Sequence, residues 1–335
     1  MARIAIVTPA GAGTRNGNRH TALRWAAFLR RAGHRVSVAT AWDGRPCDLM
    51  LALHARRSHD SIVAYRRAFP RGALCVALTG TDLYRDLPAS SEARRSLELA
   101  DRILVLQDEA PRRLAPRLRR KTCVVYQSAR SRTRHAPPKA VFRVAVIGHL
   151  REEKDPFRAA AALAHLPADA PVEVVQLGAA LAPDMEREAR RRMREEPRYR
   201  WLGGMAHARA LAWLARSHLL VVSSRMEGGA NVIAEAARIG TPVIASRVEG
   251  NVGMLGGAYP GYYRLGDERA LARLLERARS SRAFYRRLQR GTAARRARFA
   301  PSAERSALLG ALRGMLSRSS RTRARASGPD QSSSP

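Results

Sequence analysis

Short segments rich in valine, isoleucine and leucine alternate with helical segments along most of the chain, and this alternation constrains the fold most. The predicted strands are residues 3–8, 35–40, 48–53, 74–78, 103–106, 122–126, 142–147, 172–177, 199–202, 219–222 and 241–246. The predicted helices are 21–31, 58–69, 93–100, 158–165, 185–195, 211–215, 232–239, 270–279 and 303–316. Strands that alternate with helices are typical of crossovers between parallel strands. The sequence therefore predicts an α/β fold.

A polar, basic segment that contains a Pro-Pro pair interrupts this pattern, after which the pattern starts again. Such segments are typical of interdomain linkers. We therefore expect two α/β domains of similar size. The predicted divisions are an N-terminal domain at 1–128, a linker at 129–140, a second domain at 141–295, a C-terminal helix at 296–316 and a disordered Ser/Arg-rich tail at 317–335.

Several classes of protein are disfavoured by simple features of the sequence. No apolar run approaches the ~20 residues of a membrane span, and the apolar run before Pro9 is too short for a signal-peptide core. The 3 cysteines form no CxxC pair, and no HExxH pattern occurs, so no disulfide framework or metal site is predicted. We expect a cytoplasmic protein without a cofactor.

The chain is strongly basic, with 61 Lys and Arg against 28 Asp and Glu and a formal charge of +33. Only Lys121, Lys139 and Lys154 are lysines, and arginine makes up the rest. Coding bias can produce this composition as readily as function can. The total charge is therefore weak evidence for any particular partner.

Ligands of open parallel sheets bind beyond the carboxyl ends of the strands, so the loops that follow strands are the candidate sites. In the first domain these are the glycine loop 11–18, residues 54–57 and residues 79–82. The GxGxxxG spacing of the glycine loop is one residue longer than the dinucleotide fingerprint. A nicotinamide enzyme, an anion site at a helix start and a ligand-free turn all remain open for this loop.

The strongest local motif follows the predicted strand 219–222 and extends from Ser223 to Ile244. Two glutamates, Glu227 and Glu235, lie eight residues apart on either side of a Gly-Gly pair. Helical side chains lean toward the helix N-terminus, so Glu235 can reach the same ligand as Glu227. Carboxylates accept hydrogen bonds from sugar hydroxyls, and N–H groups at a helix start bind phosphate. A capping role for Glu227 and an ion pair between Glu235 and Arg238 are the structural alternatives.

This segment resembles the E-x7-E motif of retaining GT-B glycosyltransferases of the family-4 type. The resemblance implies two Rossmann-like domains that face a central cleft, with a last helix that crosses back to the first domain. It implies that Glu227 binds the donor sugar and Glu235 the ribose, and that no metal is required. The remaining implied donor contacts are Gly148, His149, Gly228, Gly229, Ala230 and Asn231.

The run from Gly148 to Asp155 resembles a second motif of that family, Gly-Arg-Leu-x-x-Glu-Lys-Gly. Lys154 matches the lysine that binds phosphate, whereas His149 replaces the family's arginine and Asp155 its final glycine. Arg151 is our candidate for the missing cation. No DxD pair occurs in the chain, so positive charge for a departing diphosphate is expected from Lys154, Arg151 and the helix start near Gly229.

Several longer runs resemble one subfamily, the selenosugar synthases of selenoneine biosynthesis. These runs are residues 6–9, 17–19, 21–25, 41–44, 53–58, 78–84 and 126–128. The resemblance implies that a UDP-sugar, typically UDP-N-acetylglucosamine, reacts with selenophosphate to give a 1-seleno sugar, UDP and phosphate, and that a later enzyme uses the product. Selenophosphate is a small polyanion, so its site is expected to be cationic. The implied acceptor contacts are Arg56, Arg57, Arg19, Gly13, Asn18, Thr79, Gly80 and Thr81, with His54 and Asp82 as further catalytic candidates. A structural role for His54 and a capping role for Asp82 are the alternatives.

Two other functions stay open at this point. A GT-B glycosyltransferase could use another small acceptor or a lipid, because the shared motif contacts only the donor. Nucleic-acid binding is the alternative from another class, since a charge of +33 gives affinity for any polyanion. The sequence contains no RNP-type aromatic run, zinc finger or basic zipper, so no specific nucleic-acid partner is expected.

Overall fold

A computed structural model describes residues 1–11, 17–131 and 133–326 of the chain. These residues form two compact units. Unit 1 comprises Met1–Leu106, Ala110–Val125 and the chain from Glu304 onward, and unit 2 comprises Gln107–Glu109 and Tyr126–Ala303. Residues 126–128, which the sequence assigns to the first domain, and the predicted linker therefore belong to unit 2.

Unit 1 is built on a six-stranded parallel sheet of order β2-β1-β3-β4-β5-β6. Its strands are β1 Arg3–Val7, β2 Arg35–Ala39, β3 Leu49–Leu53, β4 Ala73–Ala77, β5 Arg102–Val105 and β6 Thr122–Val124. Its helices before the last are α1 Gly17–Arg31, α2 His59–Ala68, α3 Leu87–Ala89, α4 Ser91–Leu99 and α5 Pro116–Arg119. Every residue of β3 and β4 is buried, as expected for central strands covered on both faces.

Unit 2 contains a second six-stranded parallel sheet, of order β12-β11-β10-β7-β8-β9. Its strands are β7 Phe142–Ile147, β8 Val172–Leu177, β9 Tyr199–Trp201, β10 Leu219–Val222, β11 Val243–Ser246 and β12 Tyr262–Tyr263. Its helices are α6 Arg158–Leu163, α7 Pro183–Glu195, α8 His207–Ala215, α9 Asn231–Ile239, α10 Glu249–Leu255, α11 Glu268–Ser280 and α12 Arg282–Ala293. Two parallel, Rossmann-like α/β units thus confirm the predicted fold class.

The last helix, α13, runs from Pro301 to Ala326 and belongs to unit 1 from Glu304 onward. Its apolar residues Leu308 and Leu312 are buried in the same core as Trp25 of α1. The buried carboxylate of Glu304 accepts hydrogen bonds from the Trp25 indole at 2.8 Å and from Arg24 Nε at 3.0 Å. The helix continues through residues 317–326, which the sequence predicts to be disordered, and the rest of that predicted tail lies outside the described residues.

None of the helices in the described part of the chain combines the length and the apolar character needed to cross a membrane.

An acid-sensitive histidine lies just before β10 in unit 2. Burial, His135 and Arg143 lower the pKa of His218 from 6.5 to about 4, and its ring stacks on Phe142 at a centroid distance of 4.6 Å. The unfolded chain therefore takes up a proton that the native ring does not bind. The stability contributed by the neutral ring is complete above about pH 6.5 and is lost as the pH falls toward about 4.

We expect His218→Gln to reduce this loss of stability in acid. Between about pH 7.5 and about pH 5, the fall in the free energy of unfolding should be smaller than that of wild type by about 1 kcal/mol, allowing for the partly exposed ring. Urea denaturation at the two pH values measures this difference. Exposed His165 provides the control His165→Gln. If the free energy of unfolding falls equally in His218→Gln and in wild type, other groups cause the acid sensitivity.

Candidate functional site

The loops that follow β7 and β10 form the candidate donor site of unit 2. These two strands are paired neighbours in the sheet and run parallel, so their carboxyl ends lie side by side. The loop after β7 contains Gly148 and a short helical turn, Glu152–Lys154, whereas the loop after β10 leads into α9. The fold therefore brings together the two motifs that the sequence places more than seventy residues apart.

Lys154 and Glu227 form the centre of this site. Lys154 Nζ lies 2.5 Å from Glu227 Oε1, and the Ser224 hydroxyl donates to the same oxygen at 2.5 Å. The Glu227 side chain is only 8% exposed and that of Lys154 is 25% exposed. Removal from water strengthens such a charge-assisted contact. The pair holds a carboxylate and an ammonium group in fixed positions at the strand ends.

The backbone that carries Lys154 is shaped by the residue that follows it. Asp155 adopts φ +43°, in the left-handed region that favours glycine but that aspartate tolerates. The Ser223 hydroxyl donates to the carbonyl oxygens of Lys154 and Asp155 at 3.0 and 2.8 Å. Asp155 thus has a left-handed backbone conformation at the position where the family motif that this run resembles has its final glycine.

A set of buried polar residues behind Glu227 was missed by the sequence analysis. The Ser246 hydroxyl donates to the Ser224 carbonyl at 2.6 Å, and Asn251 Nδ2 donates to the Ser246 carbonyl and hydroxyl, each at 3.0 Å. Gly250 packs so tightly that a Cβ there would lie 1.9 Å from the Glu227 carbonyl oxygen. Only glycine at position 250 allows α10 to approach the loop. These contacts fix the backbone on either side of Glu227.

Glu235 lies in the second turn of α9, and its carboxylate bonds to a residue outside the motif. His207 Nε2 is 2.7 Å from Glu235 Oε1. This hydrogen bond raises the pKa of His207, although burial opposes the shift. Among the residues that the structure describes, no ion pair joins Glu235 to Arg238, which was the structural alternative. His207 was not among the residues singled out from the sequence.

The start of α9 provides N–H groups for an anion. The residue before the helix is Ala230, which has no side chain with which to cap it, and the helix begins at Asn231. The first N–H groups of a helix lack partners within the helix, and its N-terminus carries partial positive charge. Gly228, Gly229 and Ala230 lead from Glu227 into this helix start, so the first N–H groups of α9 follow Glu227 closely in the chain, which is a suitable arrangement for a phosphate.

The other predicted donor residues lie on the loop after β7. His149 is exposed, and its Nδ1 accepts a hydrogen bond from the Ala179 N–H at 3.2 Å. Gly148 is in close backbone contact with Gly178. A Cβ at position 178 would lie 2.0 Å from the Gly148 carbonyl oxygen. Arg151 is exposed in the same loop, so its guanidinium is accessible to an anion.

In unit 1, Asp82 connects the loops that follow β3 and β4. Its Oδ1 accepts from the N–H groups of Thr79 and Gly80, both at 2.8 Å, and of Leu83 at 3.1 Å. Its Oδ2 accepts from the Ala55 N–H at 3.2 Å. The residue is completely buried, which leaves it no surface for contact with a ligand. These hydrogen bonds hold the loops after β3 and β4 in place and cap the segment that follows Asp82, so we treat Asp82 as a positioning residue.

His54 occupies a strained position at the end of β3. Its φ of +73° lies in the left-handed region, which non-glycine residues adopt at an energetic cost. The Arg57 N–H donates to Nδ1 at 3.3 Å, so the neutral ring carries its proton on Nε2. Nε2 faces the Thr81 hydroxyl at 3.2 Å. Burial lowers the pKa of His54, and its side chain is only 2% exposed.

Asp86 is a second residue that the sequence analysis missed. It ends a π-helical turn, Asp82–Asp86, of the kind often found at functional sites. Its Oδ2 lies 3.6 Å from His54 Nε2 and 3.1 Å from Arg56 Nε. Its position four residues after Asp82 was the available signal in the sequence. Because Asp86 offsets the charge of Arg56, the exposed Arg57 is the more available cation for an anionic ligand.

The remaining predicted acceptor residues lie at neighbouring strand ends of unit 1. Thr79 and Gly80 use their N–H groups to bind Asp82, and Gly80 adopts φ +138°. Asn18 and Arg19 lie in the first turn of α1, which follows β1. Gly13 lies outside the described residues. Because β1, β3 and β4 are consecutive in the sheet, these groups share one sheet edge.

No group of three or more His, Cys, Asp or Glu side chains that could hold a metal occurs within residues 1–11, 17–131 and 133–326.

Comparison with known proteins gives a family match and several structural likenesses. The family model described as "Glycosyl transferases group 1" matches residues 127–295, which is half of the chain. The comparison with curated proteins found no match to this sequence.

Solved structures of low sequence identity share the fold. HepE of Anabaena, solved with UDP, has a TM-score of 0.76 and 17% identity over 94% of this chain and 100% of its own. Sucrose-phosphate synthase of Thermosynechococcus elongatus has a TM-score of 0.69 and 16% identity over 97% and 99% of the two chains. A glycosyltransferase of Rickettsia africae has a TM-score of 0.73 and 12% identity over 94% and 98%. These likenesses show the GT-B fold.

Proposed function

Because the chain belongs to the group 1 glycosyl transferases, we propose that it transfers the sugar of a UDP-sugar, such as UDP-N-acetylglucosamine, to selenophosphate. The observation that carries the donor half of this proposal is the Lys154–Glu227–Ser224 cluster beside the uncapped start of α9. HepE, which shares the fold, has been solved with UDP and with UDP-glucose. The selenium acceptor rests on the subfamily resemblance of the sequence.

Each donor group has a chemical task in this proposal. Glu227 accepts hydrogen bonds from hydroxyls of the donor sugar, and Glu235 accepts from those of the ribose. Lys154 and the N–H groups at the start of α9 stabilise the negative charge that develops on the departing diphosphate. Arg151 and His149, which are exposed on the adjacent loop, add polar contacts to the same phosphates. Fixed charges stabilise a transition state without reorganisation during the reaction.

The reaction proceeds in two steps. A lone pair on selenium forms a bond to the anomeric carbon while the bond from that carbon to the UDP oxygen breaks, and UDP leaves with the bonding electrons. Water then attacks phosphorus, the Se–P bond breaks, and the selenol and inorganic phosphate are released. We assign the acceptor anion to the cationic edge of unit 1, with Arg57 as its first contact and Arg56 and Arg19 as supporting cations.

His54 and Asp86 set the geometry of that edge. The ring of His54 is fixed by the Arg57 N–H on one side and by Thr81 on the other. Its neutral Nε2–H can donate but cannot accept a proton, so we assign it an orienting role in acceptor binding. Asp82 holds the backbone of both loops. The hydrogen bonds of His54 to Arg57 and Thr81, together with those of Asp82, hold His54 in its strained backbone conformation.

The reaction is tested by measuring UDP release from UDP-N-acetylglucosamine with and without selenophosphate, and by mass spectrometry of the products. We expect UDP release that depends on selenophosphate, together with a 1-seleno sugar. Inorganic phosphate serves as the matched anion and should not support release. UDP binding without a selenium product would overturn the acceptor half only, whereas the absence of UDP binding would overturn the donor half as well.

A further inference from the structure

The carboxylate of Glu235 has His207 as its hydrogen-bond partner in the described part of the chain. The Glu235 side chain is 15% exposed, whereas that of His207 is 71% exposed. The two residues come from different helices, since His207 begins α8 and Glu235 lies within α9. An exposed imidazole thus extends across to a largely buried carboxylate 28 residues away in the chain.

No feature of helix α8 itself favours a histidine as its first residue, position 207. Ala206 precedes the helix and provides no side-chain cap. A protonated imidazole in the first turn would meet the positive end of the helix dipole, which disfavours it. The hydrogen bond to Glu235 nevertheless raises the pKa of His207. The electrostatic environment of the ring is therefore dominated by Glu235.

The hydrogen bond engages only one of the two carboxylate oxygens. His207 Nε2 bonds Oε1, which leaves Oε2 able to accept hydrogen bonds from a ligand. A glutamate side chain has three rotatable bonds, and an unbonded carboxylate would sample several orientations. The imidazole holds it in one orientation before the ligand arrives, which reduces the entropy lost on binding.

We propose that His207 is a positioning residue that fixes the Glu235 carboxylate for recognition of the two adjacent hydroxyls of the donor ribose. The inference rests on the proposed function, because it concerns the nucleotide half of the same donor site. His207 does not touch the reacting atoms and acts through Glu235. Its effect therefore falls on binding of the ribose hydroxyls and not on the chemical step.

The test compares the binding of UDP and of 2′,3′-dideoxy-UDP by titration calorimetry. We expect His207→Ala to weaken UDP binding about 5-fold, because the Glu235 carboxylate then has to be ordered when UDP binds. Binding of the dideoxy nucleotide should change by less than about 2-fold. The preference, which is the ratio of the affinities for UDP and for the dideoxy nucleotide, should also fall in Glu235→Gln. His207→Gln keeps an N–H donor and should restore most of the preference.

Matched variants separate positioning from a general effect on the fold. His165→Ala removes an exposed histidine that follows α6 and should leave both affinities unchanged. Equal weakening of both nucleotides by His207→Ala, or no weakening of either, would overturn the role of His207 while leaving the donor site intact. Failure of the wild-type protein to bind UDP would overturn the proposed function and this inference together.

Discussion

Lys154→Ala and Glu227→Gln are each expected to reduce sugar transfer by at least about 100-fold, with the fold intact. Loss of the ammonium group removes positive charge from the departing diphosphate and leaves the Ser224 hydroxyl as the side-chain donor to Glu227 among the described residues. The amide of Glu227→Gln keeps the size of the side chain but weakens its bonds to sugar hydroxyls. The rate of UDP release at saturating donor and the circular dichroism spectrum measure the two parts of this prediction.

Lys139→Ala provides the matched control for this pair. Lys139 is an exposed lysine of unit 2 in the segment before β7, and its replacement should leave the rate unchanged. Normal turnover in either site variant would contradict the donor-site assignment. A loss of ellipticity together with the loss of activity would show instead that the pair is required for folding.

Asp82→Ala is expected to destabilise the protein by about 3–5 kcal/mol, which is the range for breaking a buried network. The substitution removes the carboxylate acceptor of the Ala55, Thr79 and Gly80 N–H groups, whereas the Leu83 N–H keeps its bond to the Gly80 carbonyl oxygen. Asp82→Asn keeps one oxygen but turns an amide N–H toward donors, so an intermediate loss is expected. Urea denaturation measures the free energy of unfolding for both variants.

Asp60→Ala tests whether loss of any aspartate in unit 1 has this effect. Asp60 is exposed in the first turn of α2, where its charge favours the positive end of the helix dipole, so a loss below about 1 kcal/mol is expected. An Asp82→Ala protein with wild-type stability and no activity would support a direct catalytic role for this residue instead. Equal losses in both aspartate variants would contradict the network argument.

Some features of the chain were missed because they depend on contacts between distant segments. Helix α10 contains Gly250 and Gly253 and has weak intrinsic helical preference, so local sequence gave little sign of it. It is stabilised by packing, since Gly250 meets the Glu227 backbone and Asn251 bonds to Ser246. Strand β12 has only two residues and no periodicity to detect.

The partners of the site residues could not be predicted from the sequence either. A lone histidine in the first turn of a helix carries no sign that it will bond Glu235, and the spacing of Asp86 from Asp82 does not show that it will approach His54 and Arg56. Local patterns report which face of an element is apolar, but they do not report which side chains meet across the fold.

The sequence by itself determined the α/β alternation, the two successive units and the pair of motifs around Lys154 and Glu227, because strand and helix periodicities and glycine positions are local properties. Only the tertiary structure decided which role each polar group has. It buried Asp82 beneath four N–H donors, joined Lys154 to Glu227 and brought His207 to Glu235. Those outcomes depend on strand order and helix packing, which place residues distant in the chain within hydrogen-bond distance.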